Sequence, residues 1–324
     1  MINNNCYVDL HLHLDGAISP ESARMLAKMQ GIELPESEEE LIRQLRVSDN
    51  CRDLNEFLEK FAFPCSLLQT KEGVKYAVKN LLSELEERGV MYAEIRFAPQ
   101  KHCENGMTQE DAVIAALDGI KESGIPANLI LCCMRGGSGD DNLETVRIAS
   151  EYKNKGVVAV DLAGAEALFS TDNYGYVFDY AKKLGVRSTI HAGEADGPDS
   201  VREAIKFGAS RIGHGVRAAE DDELVVELAQ LGIPLEMCPT SNLCTCVLSD
   251  ISEYPIRKFL DAGVIVTINT DDPSIEGTTI REEYEKLIDA FGLTEGEVRE
   301  LLRNSVKASF ATDELKEKMM SKIV

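Results

Sequence analysis

The sequence predicts an α/β fold, a (β/α)8 TIM barrel with extra helices inserted after strand 1, and three observations carry that prediction. Eight short apolar runs recur along the 324 residues. Longer stretches with helical periodicity separate them, the alternation expected of parallel βαβ units. No Gly/Ser/Pro-rich linker or low-complexity tract divides the chain, so residues 1–324 read as a single domain, a length that barrels accommodate.

Taken in order, the runs are Tyr7 to Leu14, Val90 to Ala98, Ala127 to Met134, Val157 to Leu162, Val186 to Ala192, Arg211 to His214, Ile233 to Cys238 and Val264 to Asn269. The helical stretches between them include Val74 to Arg88, Leu143 to Lys155, Tyr176 to Leu184, Ser200 to Phe207 and Asp221 to Gln230. Gly89, Gly156, Gly185, Gly208 and Gly232 stand where helices would end and hand over to strands. The first connection, residues 19–89, is unusually long. An excursion after strand 1 lies on the C-terminal face where barrel active sites are built, so it is expected to form helices that act as a lid. Within it Leu54, Phe57, Leu58 and Phe61 have i, i+3, i+4, i+7 spacing, by default a core face and in a lid helix a pocket lining. Beyond Asp289, Thr294 to Arg303 and Asp313 to Lys322 read as helices packed on the barrel base.

Hydrophobic residues make up 44% and charged residues 28% of the chain, enough to bury a full core and solvate its surface. The net charge of −22 argues against nucleic acid or an anionic membrane as partner, since both would be repelled at long range. A neutral or cationic small molecule fits better. Met1 to Tyr7 lacks a basic segment followed by an apolar run, which points to the cytoplasm. The nine cysteines, several inside apolar runs such as Asn128 to Met134, read as reduced thiols, and Cys244-Thr245-Cys246 lacks the partner pair of a metal motif.

Four of the five histidines, His11, His13, His191 and His214, stand at or near the C-terminal ends of expected strands. In strand 1 the alternation Asp9-Leu10-His11-Leu12-His13-Leu14 puts His11 and His13 on one side, towards the barrel axis. With His191 from strand 5 and Asp271 after strand 8 they would offer nitrogen and oxygen ligands to a divalent ion, leaving a position for water. A lone buried histidine is ordinarily a satisfied core residue, but four on one barrel face beside the doublet Asp271-Asp272 favour a metal site. Glu194, in His191-Ala192-Gly193-Glu194, reads equally well as a proton donor to a bound substrate or as an acid opening a helix. Gly213-His214-Gly215 would let backbone approach a ligand closely. Gly136-Gly137-Ser138-Gly139 lacks the spacing of a phosphate loop and reads as an ordinary loop.

Together these motifs make the chain resemble the adenosine deaminase family along nearly its whole length. His11-Leu12-His13-Leu14-Asp15-Gly16-Ala17 is similar to that family's opening motif. Val160-Asp161-Leu162-Ala163-Gly164, His191-Ala192-Gly193-Glu194, Gly213-His214-Gly215 and Asn269-Thr270-Asp271-Asp272-Pro273 follow in the family's order. Phe57 to Phe61 and Cys132 to Arg135 also resemble family segments. The resemblance implies one zinc ion per chain on His11, His13, His191 and Asp271, with a water completing the site. It further implies that Glu194 protonates purine N1 and that His214 orients the attacking hydroxide. Gly164 and Asp272 would hydrogen-bond purine N3 and N7, and Asp15 would meet the ribose, with His13 also close to the substrate. The implied reaction takes adenosine or 2′-deoxyadenosine to the inosine counterpart and ammonia, in purine salvage. Ala165 departs from the family, where many relatives carry an acid.

Other readings fit the residues less well or differ only in substrate. A two-metal amidohydrolase would need a lysine after strand 4, and Val157 to Gly164 contains none. The small zinc deaminases need P-C-x-x-C, and Pro64-Cys65 has no second cysteine at that spacing. Within the family, adenine deaminases tend to carry glutamate at Asp15, while enzymes for modified nucleosides and a catalytically silent nucleoside-binding protein remain as further readings. The sequence leaves the oligomeric state open, and a monomer suffices.

Overall fold

A computed structural model describes residues 6–48 and 50–323, so the reading of Met1 to Asn5 lies outside the described residues. Eight parallel strands run in sequential order: β1 (Tyr7–His13), β2 (Val90–Phe97), β3 (Ala127–Met134), β4 (Val157–Ala163), β5 (Arg187–Ala192), β6 (Arg211–His214), β7 (Leu235–Met237) and β8 (Val266–Ile268). The predicted strands are all present. β7 and β8 are shorter than their apolar runs; Pro234 has no amide hydrogen to donate to the ladder at the start of β7.

Closure of the barrel is local. Strand β1 meets the segment after β8 at a bridge between Leu12 and Asp271, where His13 donates its N–H to the Asp271 carbonyl at 2.8 Å and Asp271 donates to the His11 carbonyl at 2.8 Å. A side chain of the candidate metal site is thus carried by the backbone that shuts the barrel.

Among the described residues the first connection holds five α-helices, α1 (Pro20–Gln30), α2 (Glu38–Leu45), α3 (Leu54–Leu58), α4 (Ala62–Ser66) and α5 (Lys71–Glu87), with a 3-10 turn at Glu59–Phe61 between α3 and α4. Its helices, expected to act as a lid over residues 19–89, take different places. In α5, Val74, Ala77, Val78, Leu81, Leu82 and Leu85 are buried, the stripe of a helix packed on the barrel wall, and α5 packs on β2. The part that covers the site is the short stretch from α3 to α4.

The remaining helices include α6 (Gln109–Lys121), α7 (Gly139–Tyr152), α8 (Gly175–Lys183), α9 (Pro198–Lys206), α10 (Asp222–Leu231), α11 (Pro239–Cys244) and α12 (Ile256–Asp261). After β8 come α13 (Pro273–Glu276), α14 (Ile280–Phe291), α15 (Glu295–Ala308) and α16 (Asp313–Met320), with α15 packed on β8 and β1. The five glycines expected to end helices all have positive φ, from 65° to 115°, which suits a residue without a Cβ. The Gly136 to Gly139 run is a turn into α7, whose first amides Ser138 caps. All nine cysteines are free thiols. Among the described residues no helix is long and apolar enough to cross a membrane.

The fifth histidine, His102, lies away from the other four, fully buried with its ring 5.5 Å from that of Phe97. Burial pulls its pKa down to about 4. Its folded value therefore lies below the unfolded one, so its contribution to stability is complete above about pH 6.5 and is lost as pH falls towards 4. Between pH 6.5 and 4.5 the wild type should lose about 2–3 kcal/mol more unfolding free energy than His102→Gln. Denaturant titrations of both proteins at the two pH values check this, and parallel losses would refute it.

Candidate active site

The period of two in β1 brings His11 and His13 to the same side of the strand, with the apolar Leu10 and Leu12 packed in the hydrophobic core. His11 Nε2 lies 3.0 Å from His191 Nε2 and 3.2 Å from Asp271 Oδ1. His13 Nε2 lies 3.3 Å from His191 Nε2 and 3.4 Å from Asp271 Oδ1. The four residues are buried and their ligand atoms lie within 4.8 Å of one another. Gly213, paired with His191 across the β5–β6 ladder, makes the approach possible: a Cβ there would stand 3.1 Å from His11 Cε1 and from His191 Cα.

The groups behind the imidazoles show that this set fits a metal ion. His11 Nδ1 faces Glu236 Oε2 at 2.9 Å and His191 Nδ1 faces Asp161 Oδ2 at 2.8 Å. A carboxylate can only accept, so each of these Nδ1 atoms carries the ring hydrogen and each Nε2 presents a lone pair. Two lone pairs facing each other at 3.0 Å, with a carboxylate beside them, repel unless a cation or proton lies among them. Three imidazole nitrogens and a carboxylate oxygen suit a first-row divalent ion.

Asp161 and Glu236 are themselves held by buried arginines. Arg96 donates to Asp161 Oδ2 and to Glu236 Oε2, both at 2.8 Å, while Arg211 bonds Glu236 Oε1 at 2.5 Å and Glu94 Oε2 at 2.6 Å. Burial alone would raise both carboxyl groups, but His191 and Arg96 hold Asp161, and Arg96 and Arg211 hold Glu236, well below the usual carboxylate range. Both stay ionised, which fixes the ring tautomers. Sequence reasoning singled out none of these charges as site residues. Their signal was present, since Tyr92, Glu94 and Arg96 alternate inside the otherwise apolar β2, an inward polar face that a barrel interior must satisfy.

Next to the cluster is a cavity of about 520 Å³, within the range of small-molecule pockets. His13, Asp15, Gly164, Glu194, His214 and Asp272 line it, and Leu54, Phe57, Leu58 and Phe61 from the α3 region cover it. The sequence-predicted substrate and lid residues are thus brought together, with the lid residues forming a small apolar cluster with Ile275 that is separate from the main core. His11 lies behind the cavity wall, fully buried.

The ionisable groups on this cavity differ in state. Burial, then the Asp271 and Glu166 carboxylates, push Glu194 well above the usual range, which favours its protonated form. Burial, then Asp271 and Glu276, do the same to Asp272. Burial lowers His214 well below its ordinary value, so its ring is neutral. Asn242 Nδ2 donates to His214 Nδ1 at 3.2 Å, which leaves the hydrogen on Nε2, 3.6 Å from both Glu194 Oε2 and Asp271 Oδ2. His214 and Asp271 have φ of 57° and 60°, left-handed values that cost about 1–3 kcal/mol in a residue with a Cβ and that gather at functional sites. Glu194 does not open a helix: α9 begins four residues later at Pro198, and the Glu194 carboxyl is buried beside His214. Asp15, which burial pushes up to about 6, accepts a weak bond from Cys65 Sγ at 3.4 Å.

A parallel barrel with three imidazoles and a carboxylate converging at its C-terminal mouth, beside a cavity lined by a buried glutamate, defines the class of barrel hydrolases that work with a bound metal ion. Within that class the chain belongs to the adenosine deaminase family, whose model matches residues 7–324. An adenosine deaminase of Haemophilus ducreyi is 47% identical over 98% of this chain and 95% of its own, and one of Clostridium acetobutylicum is 38% identical over 98% and 96%. Among solved structures, an adenine deaminase from Arthrobacter aurescens superposes with a TM-score of 0.89 at 29% identity, covering 98% of both chains. The Arabidopsis N6-mAMP deaminase gives 0.86 at 26% identity, covering 99% of this chain and 98% of its own.

Proposed function

We propose that this protein hydrolyses adenosine and 2′-deoxyadenosine to inosine and 2′-deoxyinosine with release of ammonia, using one zinc ion per chain on His11, His13, His191 and Asp271. The observation that carries this reading is that Glu194 and His214 line one cavity with His13, His191 and Asp271, three of the four cluster residues, while His11 stands directly behind its wall. When bound, zinc supplies the Lewis acidity that makes a water nucleophilic at neutral pH, lowering its pKa to about 7.

The chain's own residues do the rest. Glu194 delivers its proton to purine N1, which removes electron density from C6 and opens it to attack by water. His214, with hydrogen on Nε2, orients that water and stabilises negative charge on the oxygen that attacks C6. Asp272, kept protonated, donates to purine N7, the backbone of Gly164 meets N3, and Asp15 takes a ribose hydroxyl. The apolar side chains of Leu54, Phe57, Leu58 and Phe61 exclude bulk water. One proton of the water restores the Glu194 carboxyl, the proton of the new C6 hydroxyl passes to the amino group, and the tetrahedral carbon collapses to a C6 carbonyl with N1 keeping its hydrogen and ammonia leaving.

The adenosine deaminases at 47% and 38% identity support a nucleoside substrate, while the adenine deaminase at 29% marks the nearest competing reading. We place the protein in the cytoplasm as a purine-salvage enzyme, with the whole chain acting as one unit, the α3–α4 segment as its lid, and no second chain required. The substrate is tested by following loss of adenosine absorbance, with free adenine in parallel. Turnover of adenine in preference to adenosine would overturn the reading. Asp15→Ala should lower kcat/KM for adenosine by about 1–3 kcal/mol, the cost of one buried hydrogen bond, and leave any residual adenine activity nearly unchanged. Equal losses on both substrates would remove Asp15 from the sugar.

A further inference from the structure

Beyond the expected acid position, which Ala165 leaves empty of charge, the next residue is Glu166, 1% exposed and with no contact to the cavity through its own carboxylate. Its two oxygens accept five hydrogen bonds. Oε1 takes the N–H of Gly193 at 2.7 Å and the hydroxyl of Ser200 at 2.5 Å, and Oε2 takes the N–H groups of Glu194, Ala195 and Asp196 at 3.0, 2.7 and 3.0 Å. Four consecutive amides are thereby wrapped around one carboxylate from a different strand's loop. The turn they form is tight: Gly193 has φ of 67°, and a Cβ there would lie 2.4 Å from Val201. Burial opposes the Glu166 charge, but Arg135 and these donors outweigh it and keep the group ionised. Arg135 also ties the clamp to the metal cluster, donating to the His191 carbonyl at 2.6 Å and to Thr171 Oγ1 at 2.9 Å, while Thr171 pairs with Ser200 at 2.7 Å.

We infer that Glu166 is a positioning residue for the deamination: its carboxylate fixes the backbone from Gly193 to Asp196 and so aims the Glu194 side chain at the substrate. The inference rests on the proposed proton transfer by Glu194. A carboxylate is the group for this task because it accepts in every direction. Glutamine has the same size but replaces one oxygen by an NH2 group, which would face amides that can only donate. A displacement of the order of 1 Å at a reacting group costs about 10²-fold in rate, so a modest shift of this loop is felt in turnover.

The test compares Glu166→Gln, Glu166→Asp and Glu194→Gln, each brought to full metal content and corrected for it. Turnover of adenosine is measured together with the Kd of 1-deazaadenosine, in which a C–H replaces N1, so that its binding draws nothing from the Glu194 proton. Glu166→Gln should lose about 10- to 100-fold in kcat while the 1-deazaadenosine Kd moves by less than about threefold. Glu166→Asp, which keeps both oxygens and the charge, should retain more activity than Glu166→Gln. Near-normal kcat in Glu166→Gln, or greater activity in Glu166→Gln than in Glu166→Asp as a space-filling role requires, would overturn the inference. Should Glu166→Gln not fold, Ser200→Ala removes one of the five donors and is expected to lower kcat by about threefold or more at constant 1-deazaadenosine Kd, and unchanged kcat would count against the clamp. Glu194→Gln separates the two levels. An inactive Glu194→Gln beside a fully active Glu166→Gln ends this inference alone, whereas an active Glu194→Gln ends the reading on which it rests.

Discussion

Glu194→Gln is expected to keep its metal and its fold while losing about 10² to 10⁴ in kcat, the range for removing a general acid. The loss should reach the upper end, because an unprotonated purine resists attack at C6 and the amide has no proton to deliver. Ground-state affinity should change little, since glutamine preserves the shape of the side chain. Two features support the effect being catalytic. The carboxyl is buried beside His214 rather than at a helix start, and burial together with the Asp271 and Glu166 charges raises its pKa well above the usual carboxylate range. A merely capping acid would cost about 1 kcal/mol of stability with turnover nearly intact. Metal content, melting temperature and kcat measured on one preparation decide the matter, and near-normal kcat would remove the proposed proton transfer.

The barrel was legible because its parallel strands are buried on both faces and read as apolar runs, with helix-ending glycines between them. Strand bounds held best where the apolar run itself stops, as at Ala127–Met134 and Arg211–His214. The metal cluster was legible for a different reason: the alternation in β1 and the rarity of histidine leave few other readings of His11, His13 and His191. The buried network of Arg96, Arg211, Glu94, Asp161 and Glu236 was harder to see, because periodicity shows which side of a strand a residue faces but not what stands opposite across the barrel. Which helices of the first connection line the cavity was hard to see for a related reason. The pattern of α5 is amphipathic like that of any helix, and only its contact with β2 marks it as part of the wall. Glu166 carried no signal in the sequence, because its hydrogen-bond partners, the amides from Gly193 to Asp196, lie in the loop after a different strand.

The central claim, that His11, His13, His191 and Asp271 hold the metal on which adenosine deamination depends, is tested most directly by elemental analysis and adenosine turnover on the same samples of wild type and Asp271→Ala. Four ligands of a structural zinc site share about 10–16 kcal/mol, so removing one costs on the order of 3 kcal/mol, more than a hundredfold in affinity. Asp271 has two further duties, since its backbone closes the barrel against β1 and its Oδ2 lies 3.6 Å from His214 Nε2, but only the first survives in the alanine protein. After dialysis against a chelator of moderate strength, the wild type should retain one zinc per chain, with activity proportional to zinc. Asp271→Ala should lose both while remaining folded. Stoichiometric zinc in Asp271→Ala, or adenosine turnover by wild-type protein freed of metal, would contradict the account.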